Sequence, residues 1–319
     1  MASDCHIPVP VWGMFIRTRA YQSLVRDKRI DSALFFFSYV TNLPDTEPEA
    51  KRLTSDNMKK FALVTGASSG LGRQLACELA RNGINTLLVS LPGEGLPDVC
   101  RECRRFDVDS IGFETDLTDS EELARLVELI DSQYELFALF NNAGIGGSRR
   151  FDEVPHEYID NIVRLNVMAS TSLLHRLLPN LKRNSPAYVL NVSSMASLTP
   201  CGYKTVYPAS KAYIKHLSYG LREELRESGI SVSLAVLGPM PTRPDIIRRI
   251  ESQGVLGRML SVSAQKTAEV CVRKTLLGRR TIIAGGLNVV SFYLLRIIPE
   301  RLRGVLMSCS VRRNELQTK

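Results

Sequence analysis

Phe61-Ala62-Leu63-Val64-Thr65-Gly66-Ala67-Ser68-Ser69-Gly70-Leu71-Gly72 decides the fold. The apolar run over residues 61–64 reads as a buried strand. Helical periodicity begins at Leu71 and predicts a helix over 71–82. Between the two, glycines 66, 70 and 72 let the backbone turn tightly and come close to a ligand. A helix that starts there offers unbonded N–H groups and a positive dipole end, which suit a pyrophosphate. The spacing is Gly-x-x-x-Gly-x-Gly, not the commoner Gly-x-Gly-x-x-Gly of dinucleotide sites.

The same alternation continues outward. Strands are predicted over 86–90, 111–114, 136–140, 187–192, 231–237 and 281–284. Helices are predicted over 97–105, 120–133, 155–181 and 207–228, with Asp119 capping the second. Continuous apolar strands between amphipathic helices imply a parallel sheet covered on both faces. The expected fold is α/β, a doubly wound Rossmann-like sheet in a single catalytic domain over residues 58–286. Residues 1–57 hold no recognisable motif and end in a polar stretch, and Met58 looks like a natural start. They read as an N-terminal extension, poorly ordered or not native to the protein. Residues 287–319 form a basic and apolar C-terminal segment.

Composition narrows the class. The chain has 319 residues, 41 basic and 33 acidic, for a net charge of +8. Much of that excess crowds the C-terminus, at Arg296, Arg301, Arg303, Arg312, Arg313 and Lys319. It fits a solvated basic tail better than an anion-binding patch. Seven scattered cysteines suggest reduced thiols in the cytoplasm. Cys100 and Cys103 lack the second pair a zinc site needs, so no metal is expected. No run reaches the roughly 20 apolar residues that span a bilayer.

Tyr207 and Lys211 stand four residues apart and share one helix face. A cation beside a phenol favours the phenolate, which lets a tyrosine exchange protons near neutral pH. With these residues in place, the chain resembles the classical short-chain dehydrogenase/reductase family from about residue 60 to 286. The glycine loop matches Thr-Gly-x-x-x-Gly-x-Gly. Asn141-Asn142-Ala143-Gly144 matches the segment after the fourth strand, and Asn166 the asparagine of the long helix. Ser194 matches the serine after the fifth strand, thirteen residues before Tyr207.

The resemblance implies an oxidoreductase that reduces a ketone or aldehyde, or oxidises a secondary alcohol, with NAD(P)(H). Tyr207 would move the proton and Lys211 would tune it and hold the nicotinamide ribose. Ser194 would donate to the carbonyl oxygen, and Asn166 would hold a water linking Lys211 to solvent. The cofactor would rest on Thr65, Gly66, Ser68, Ser69, Gly70, Leu71, Gly72 and Arg73. Further contacts would come from Ser90, Asp116, Leu117, Asn142, Ala143, Gly144, Tyr207, Lys211, Gly238, Met240 and Thr242. Leu237 stands where the family usually has proline. Ser90 replaces the carboxylate expected at the second strand's end in NAD enzymes, and Arg73 could assist a 2′-phosphate, so NADP(H) is favoured.

The substrate loop should lie within 243–261, where Arg243, Arg248, Arg249 and Arg258 alternate with Ile246, Ile247 and Leu256. An amphipathic lid helix fits it better than a site for an acidic acyl thioester. Nothing points to nucleic acid. The C-terminal segment is a candidate for peripheral membrane contact, a cleft cover or a subunit interface. The family's habit of pairing through its long helices implies a homodimer or homotetramer. Two other readings stand beside the main one: a non-catalytic dinucleotide-binding regulator or scaffold, and a sugar-nucleotide epimerase.

Overall fold

The computed structural model describes residues 60–316 apart from Arg243 and Gln253; a few side chains, those of 244, 245, 249, 252, 256 and 313–316, are also outside the description. The expectations for residues 1–57, and the parts of Arg243, Arg249 and Leu256 in the substrate loop, therefore lie outside the described residues.

Seven parallel strands run in the order β3-β2-β1-β4-β5-β6-β7. They are β1 (Phe61–Thr65), β2 (Asn85–Ser90), β3 (Ser110–Glu114), β4 (Leu136–Asn141), β5 (Ala187–Ser194), β6 (Ile230–Leu237) and β7 (Thr281–Ile282). Every residue of β2 and β4 is buried, as strands covered on both faces require. On one face lie α1 (Gly70–Arg81), α2 (Leu96–Arg104) and α9 (Ala264–Leu276). Leu75, Leu79, Val99 and Val272 fill that core. On the other lie α3 (Ser120–Gln133) and α5 (Ser170–Arg183), which bury Leu126, Ile130, Leu173 and Leu177. α6 (Val206–Glu224) covers β5 and β6.

Most of the expected elements form within a residue or two of their bounds. Asp119 caps α3 by accepting from the N–H groups of Glu121 and Glu122. Cys100 and Cys103 are two buried thiols on the core face of α2. The long helix differs from expectation. It comprises α4 (His156–Val163), a π-helical segment (Arg164–Ala169) and then α5. The substrate loop folds into α7 (Pro244–Ser252) and α8 (Gly254–Leu260), parted where Gly254 takes a φ of +64°. The C-terminal segment forms α10 (Gly286–Ile297) and α11 (Glu300–Leu316). Phe292 of α10 is buried with Leu198, Ile214, Leu234 and Val236 in a third apolar cluster.

The strand order reverses between β1 and β4. In an open α/β sheet that reversal leaves a crevice at the strands' carboxyl ends. The cleft of this molecule lies there, with a volume of about 2050 Å³.

Candidate active site

At one end of the cleft the backbone leaves β1 and enters α1. Gly66 and Gly70 both adopt positive φ, at 65° and 54°. Gly72 is required for a different reason: a Cβ there would lie 1.9 Å from the Gly66 carbonyl oxygen. The first turn of α1 has neither a side-chain cap nor an acidic residue. Its N-terminus thus presents its dipole to the cleft through Ser68, Ser69, Gly70 and Leu71. Thr65 lies behind this wall. Its hydroxyl accepts from the backbone N–H groups of Asn142 and Ala143, and so ties the end of β4 to the loop. Asn142 Nδ2 donates to the Thr65 and Gly66 carbonyls. Thr65 and Gly72 therefore shape the cradle without lining it.

Arg73 departs from expectation. Its Nε and Nη2 both donate to Glu102 Oε2, at 3.0 and 2.8 Å, and it does not line the cleft. That carboxylate holds the guanidinium above its ordinary pKa and engages two of its five N–H donors. Ser90 and Leu91 do line the cleft, as does Glu94, which the sequence reading passed over. Asp116 and Leu117 form the neighbouring wall. The Asp116 carboxylate accepts from Thr118 N–H and Oγ1, which fixes its orientation.

At the other end, β5 stops at Ser194 and α6 begins at Val206. Tyr207 sits in the first turn of α6, with Lys211 one turn further. Lys211 Nζ lies 6.0 Å from the Tyr207 ring centroid and donates to the Val192 carbonyl at 3.0 Å. Burial alone pushes the Lys211 ammonium down to about 8. The two adjacent serines separate by environment. Ser193 is buried and its hydroxyl donates to the Lys211 carbonyl. Ser194 is less buried, and its Oγ accepts from Ala196 N–H. Asn166 belongs to the π-helical segment and is buried. Its Oδ1 accepts from Ile145 N–H, and its Nδ2 donates to the Ile145 carbonyl and to Ser210 Oγ. Gly144 lies between this amide and Lys211: a Cβ there would be 3.0 Å from Asn166 Oδ1 and 3.1 Å from Lys211 Nζ.

Two features of this end escaped the sequence reading. Lys204 Nζ lies 4.7 Å from the Tyr207 ring centroid, nearer than Lys211. Gly146 packs edge-on against the same ring, where a Cβ would be 2.7 Å from Tyr207 Cδ2. The Gly146-Gly147 pair just after Asn-Asn-Ala-Gly was the available signal of a close approach.

Across the cleft, the chain after β6 supplies Gly238, Met240 and Thr242. Thr242 reaches over the glycine loop, its Cγ2 3.5 Å from where a Gly70 Cβ would stand. Asn288 fixes the far wall by donating to the carbonyls of Leu260 and Ala284. That wall is apolar, with Leu260, Leu294, Leu295 and Ile298.

A seven-stranded parallel sheet with a glycine loop at its switch point defines a doubly wound, Rossmann-like fold. Residues 60–250 match the family model for short chain dehydrogenases, and the chain belongs to that family. A very-long-chain 3-oxoacyl-CoA reductase of Anas platyrhynchos is 32% identical over 177 residues, which is 54% of this chain and 57% of that protein. The Neurospora crassa protein of the same name is 30% identical over 209 residues, 62% of this chain and 63% of that one. The match thus spans less than two thirds of either relative. A short-chain dehydrogenase from Sphingobium yanoikuyae, solved in complex with NADPH, has a TM-score of 0.65 at 25% identity, covering 74% of this chain and 92% of that one.

Proposed function

We propose that this chain is an NAD(P)(H)-dependent oxidoreductase that reduces a ketone or aldehyde, or oxidises a secondary alcohol. One observation carries the reading: Tyr207, Lys211, Ser194 and the Gly66–Leu71 cradle all line a single cleft. The residues present fit a dinucleotide. An uncapped helix N-terminus faces the cleft, and the absence of side chains at Gly66 and Gly72 lets the loop backbone pack closely against Ala143 and against itself.

Gly66, Ser68, Ser69, Gly70 and Leu71 would hold the pyrophosphate, and Ser90, Asp116 and Leu117 the adenosine. Asn142, Ala143 and Gly144 would line the adenosine side, and Lys211, Gly238, Met240 and Thr242 would hold the nicotinamide half. When bound, that group supplies or accepts the hydride. The protein's part is proton transfer. The Tyr207 hydroxyl gives its proton to the carbonyl oxygen during reduction and takes it back during oxidation. Ser194 Oγ, already accepting from Ala196 N–H, keeps its own hydrogen for the oxygen where charge develops. Lys211 carries its charge at neutral pH and favours the phenolate. Asn166 pins Ile145 and so holds the 144–146 segment against both Lys211 and the Tyr207 ring.

NADP(H) is favoured, by a modest margin. Ser90 leaves the end of β2 without a carboxylate, and the Sphingobium yanoikuyae relative is described with NADPH. With Arg73 engaged by Glu102 and Glu94 in the cleft wall, the preference for NADPH should stay within about tenfold in kcat/KM, or 1.4 kcal/mol. Equal or better use of NADH would overturn it.

For the substrate we propose a lipophilic carbonyl compound, with 3-oxoacyl thioesters first. The apolar wall of Leu260, Leu294, Leu295 and Ile298 supports the chain, and Arg248 and Arg312 at the same cleft suit an anionic end. The names of the relatives point the same way. NADPH oxidation should be followed against 3-oxoacyl thioesters, steroid ketones, keto-sugars and small aldehydes. The reading predicts the highest kcat/KM for a 3-oxoacyl thioester; a keto-sugar or a small aldehyde in first place would contradict it. We also propose pairing of copies through α4–α5 and α6, where Val163, Met168 and Tyr213 stand exposed. Size-exclusion chromatography of the full chain should give a dimer or larger; a monomer would remove this part.

A further inference from the structure

α10 is apolar on two sides. Phe292, Val289 and Leu295 face the body of the protein. Leu287, Val290, Leu294 and Ile297, spaced by three and four residues, form a second stripe on its outer side, with Ile297 72% exposed. A soluble helix ordinarily has one such stripe. α11 inverts the usual arrangement altogether. It is held to the body by polar and small residues: Arg303 Nη1 donates to the Leu198 carbonyl, Ser308 Oγ accepts from Gly202 N–H, and Gly304 rests against Pro200. Its apolar residues Leu302, Val305 and Leu306 point outward, each more than half exposed. α8, which packs against α10, adds Val255 at 66% and Met259 at 57%. All three helices also wall the cleft, through Leu260, Leu294, Leu295, Ile298 and Met307, so these stripes border one opening. Exposed apolar stripes gathered on three helices that wall one cleft point to an interaction site.

The charges choose the occupant. Arg258, Arg296, Arg301 and Arg312 stand exposed on the same helices, and Glu300 is the one acidic residue among their described side chains. Anionic lipid headgroups complement that set. A second copy related by a two-fold axis would bring the same patch, with its arginines, against itself. Among the described residues no helix is long and apolar enough to cross a membrane, so the helices would lie on its surface.

We propose that α8, α10 and α11 form a docking face for an anionic lipid surface, placing the mouth of the cleft against the bilayer. Access of a lipophilic substrate from the bilayer rests on the carbonyl-reductase reading, whereas the docking itself does not. The test is sedimentation of the full chain with vesicles of phosphatidylcholine alone and of phosphatidylcholine with about one third phosphatidylglycerol. The expected result is binding at least about tenfold stronger to the anionic vesicles, weakened by added salt. The variant Ile297→Ser/Leu302→Ser/Val305→Ser changes exposed residues that do not line the cleft. It should lose about tenfold or more of that binding. Its melting temperature and its turnover of a water-soluble ketone should not change. Wild-type protein left in the supernatant by both vesicles would overturn the proposal. So would equal binding by the variant, or a dimer that the triple variant splits in the absence of any vesicle binding. Because binding is read without turnover, failure here and failure of the catalytic reading are separable.

Discussion

At Lys211 two demands conflict. A charged ammonium beside Tyr207 favours the phenolate, yet burial disfavours that charge and pushes it down to about 8 from 10.5. The sign of the consequence follows. Below pH 8 the lysine is protonated in both folded and unfolded chains, and the folded chain bears the full cost of a buried charge. Between 8 and 10.5 the unfolded chain binds more protons, so this group's contribution to stability rises with pH. Comparison with Lys211→Met, both in a Tyr207→Phe background, cancels the other titrations. The difference in unfolding free energy should move in favour of Lys211 by about 3 kcal/mol between pH 7.5 and 10.5 in urea titrations. A flat difference would mean that Lys211 keeps an ordinary pKa. Lys204 makes a second electrostatic claim, 4.7 Å from the ring of Tyr207. Lys204→Gln should shift the pH profile of alcohol oxidation upward by about half a unit. An unmoved profile would leave Lys204 without influence on proton transfer.

Among the elements, the turn from β1 into α1 is the least forgiving. Gly72→Ala would drive a Cβ to within 1.9 Å of the Gly66 carbonyl oxygen, which is backbone and cannot swing aside. The loop must shift, at a cost of about 1–3 kcal/mol in stability and at least about tenfold in NADPH affinity. Fluorescence titration with NADPH, alongside thermal melting, would check both. Unchanged affinity would show that the cradle tolerates the shift. This turn was legible in the sequence because its information is local: a strand, glycines at fixed spacing, a helix. The Tyr207–Lys211 pair was legible for the same reason, one turn of one helix. The departures come from contacts distant in sequence. Glu102, which engages Arg73, is 29 residues away. The π-helical segment that carries Asn166 follows no period that distinguishes it from an α-helix, and its role shows only where Asn166 meets Ile145 and Ser210. Glu94 enters the cleft wall from the loop between β2 and α2, which composition does not reveal.

Over the described residues, one cleft at the sheet's switch point joins the glycine loop, the Tyr207–Lys211 pair and an apolar wall from α10. A ligand that binds only the folded state raises its stability by mass action, about 2.7 kcal/mol at a hundredfold excess over Kd. For a domain of this size NADPH at that level should raise Tm by roughly 5–10 °C. No shift with either NADPH or NADH would remove the dinucleotide from the account. The claim on which the rest depends is that Tyr207 moves the proton, and that its hydroxyl adds little to the hold on the cofactor. Tyr207→Phe keeps the ring against Gly146 and under Lys204 while deleting the hydroxyl. Single-turnover oxidation of NADPH by this variant, with NADPH affinity measured in parallel, tests that claim most directly. The account predicts a loss of about 10²–10⁴-fold in turnover with NADPH affinity nearly unchanged; full turnover by the variant would contradict it.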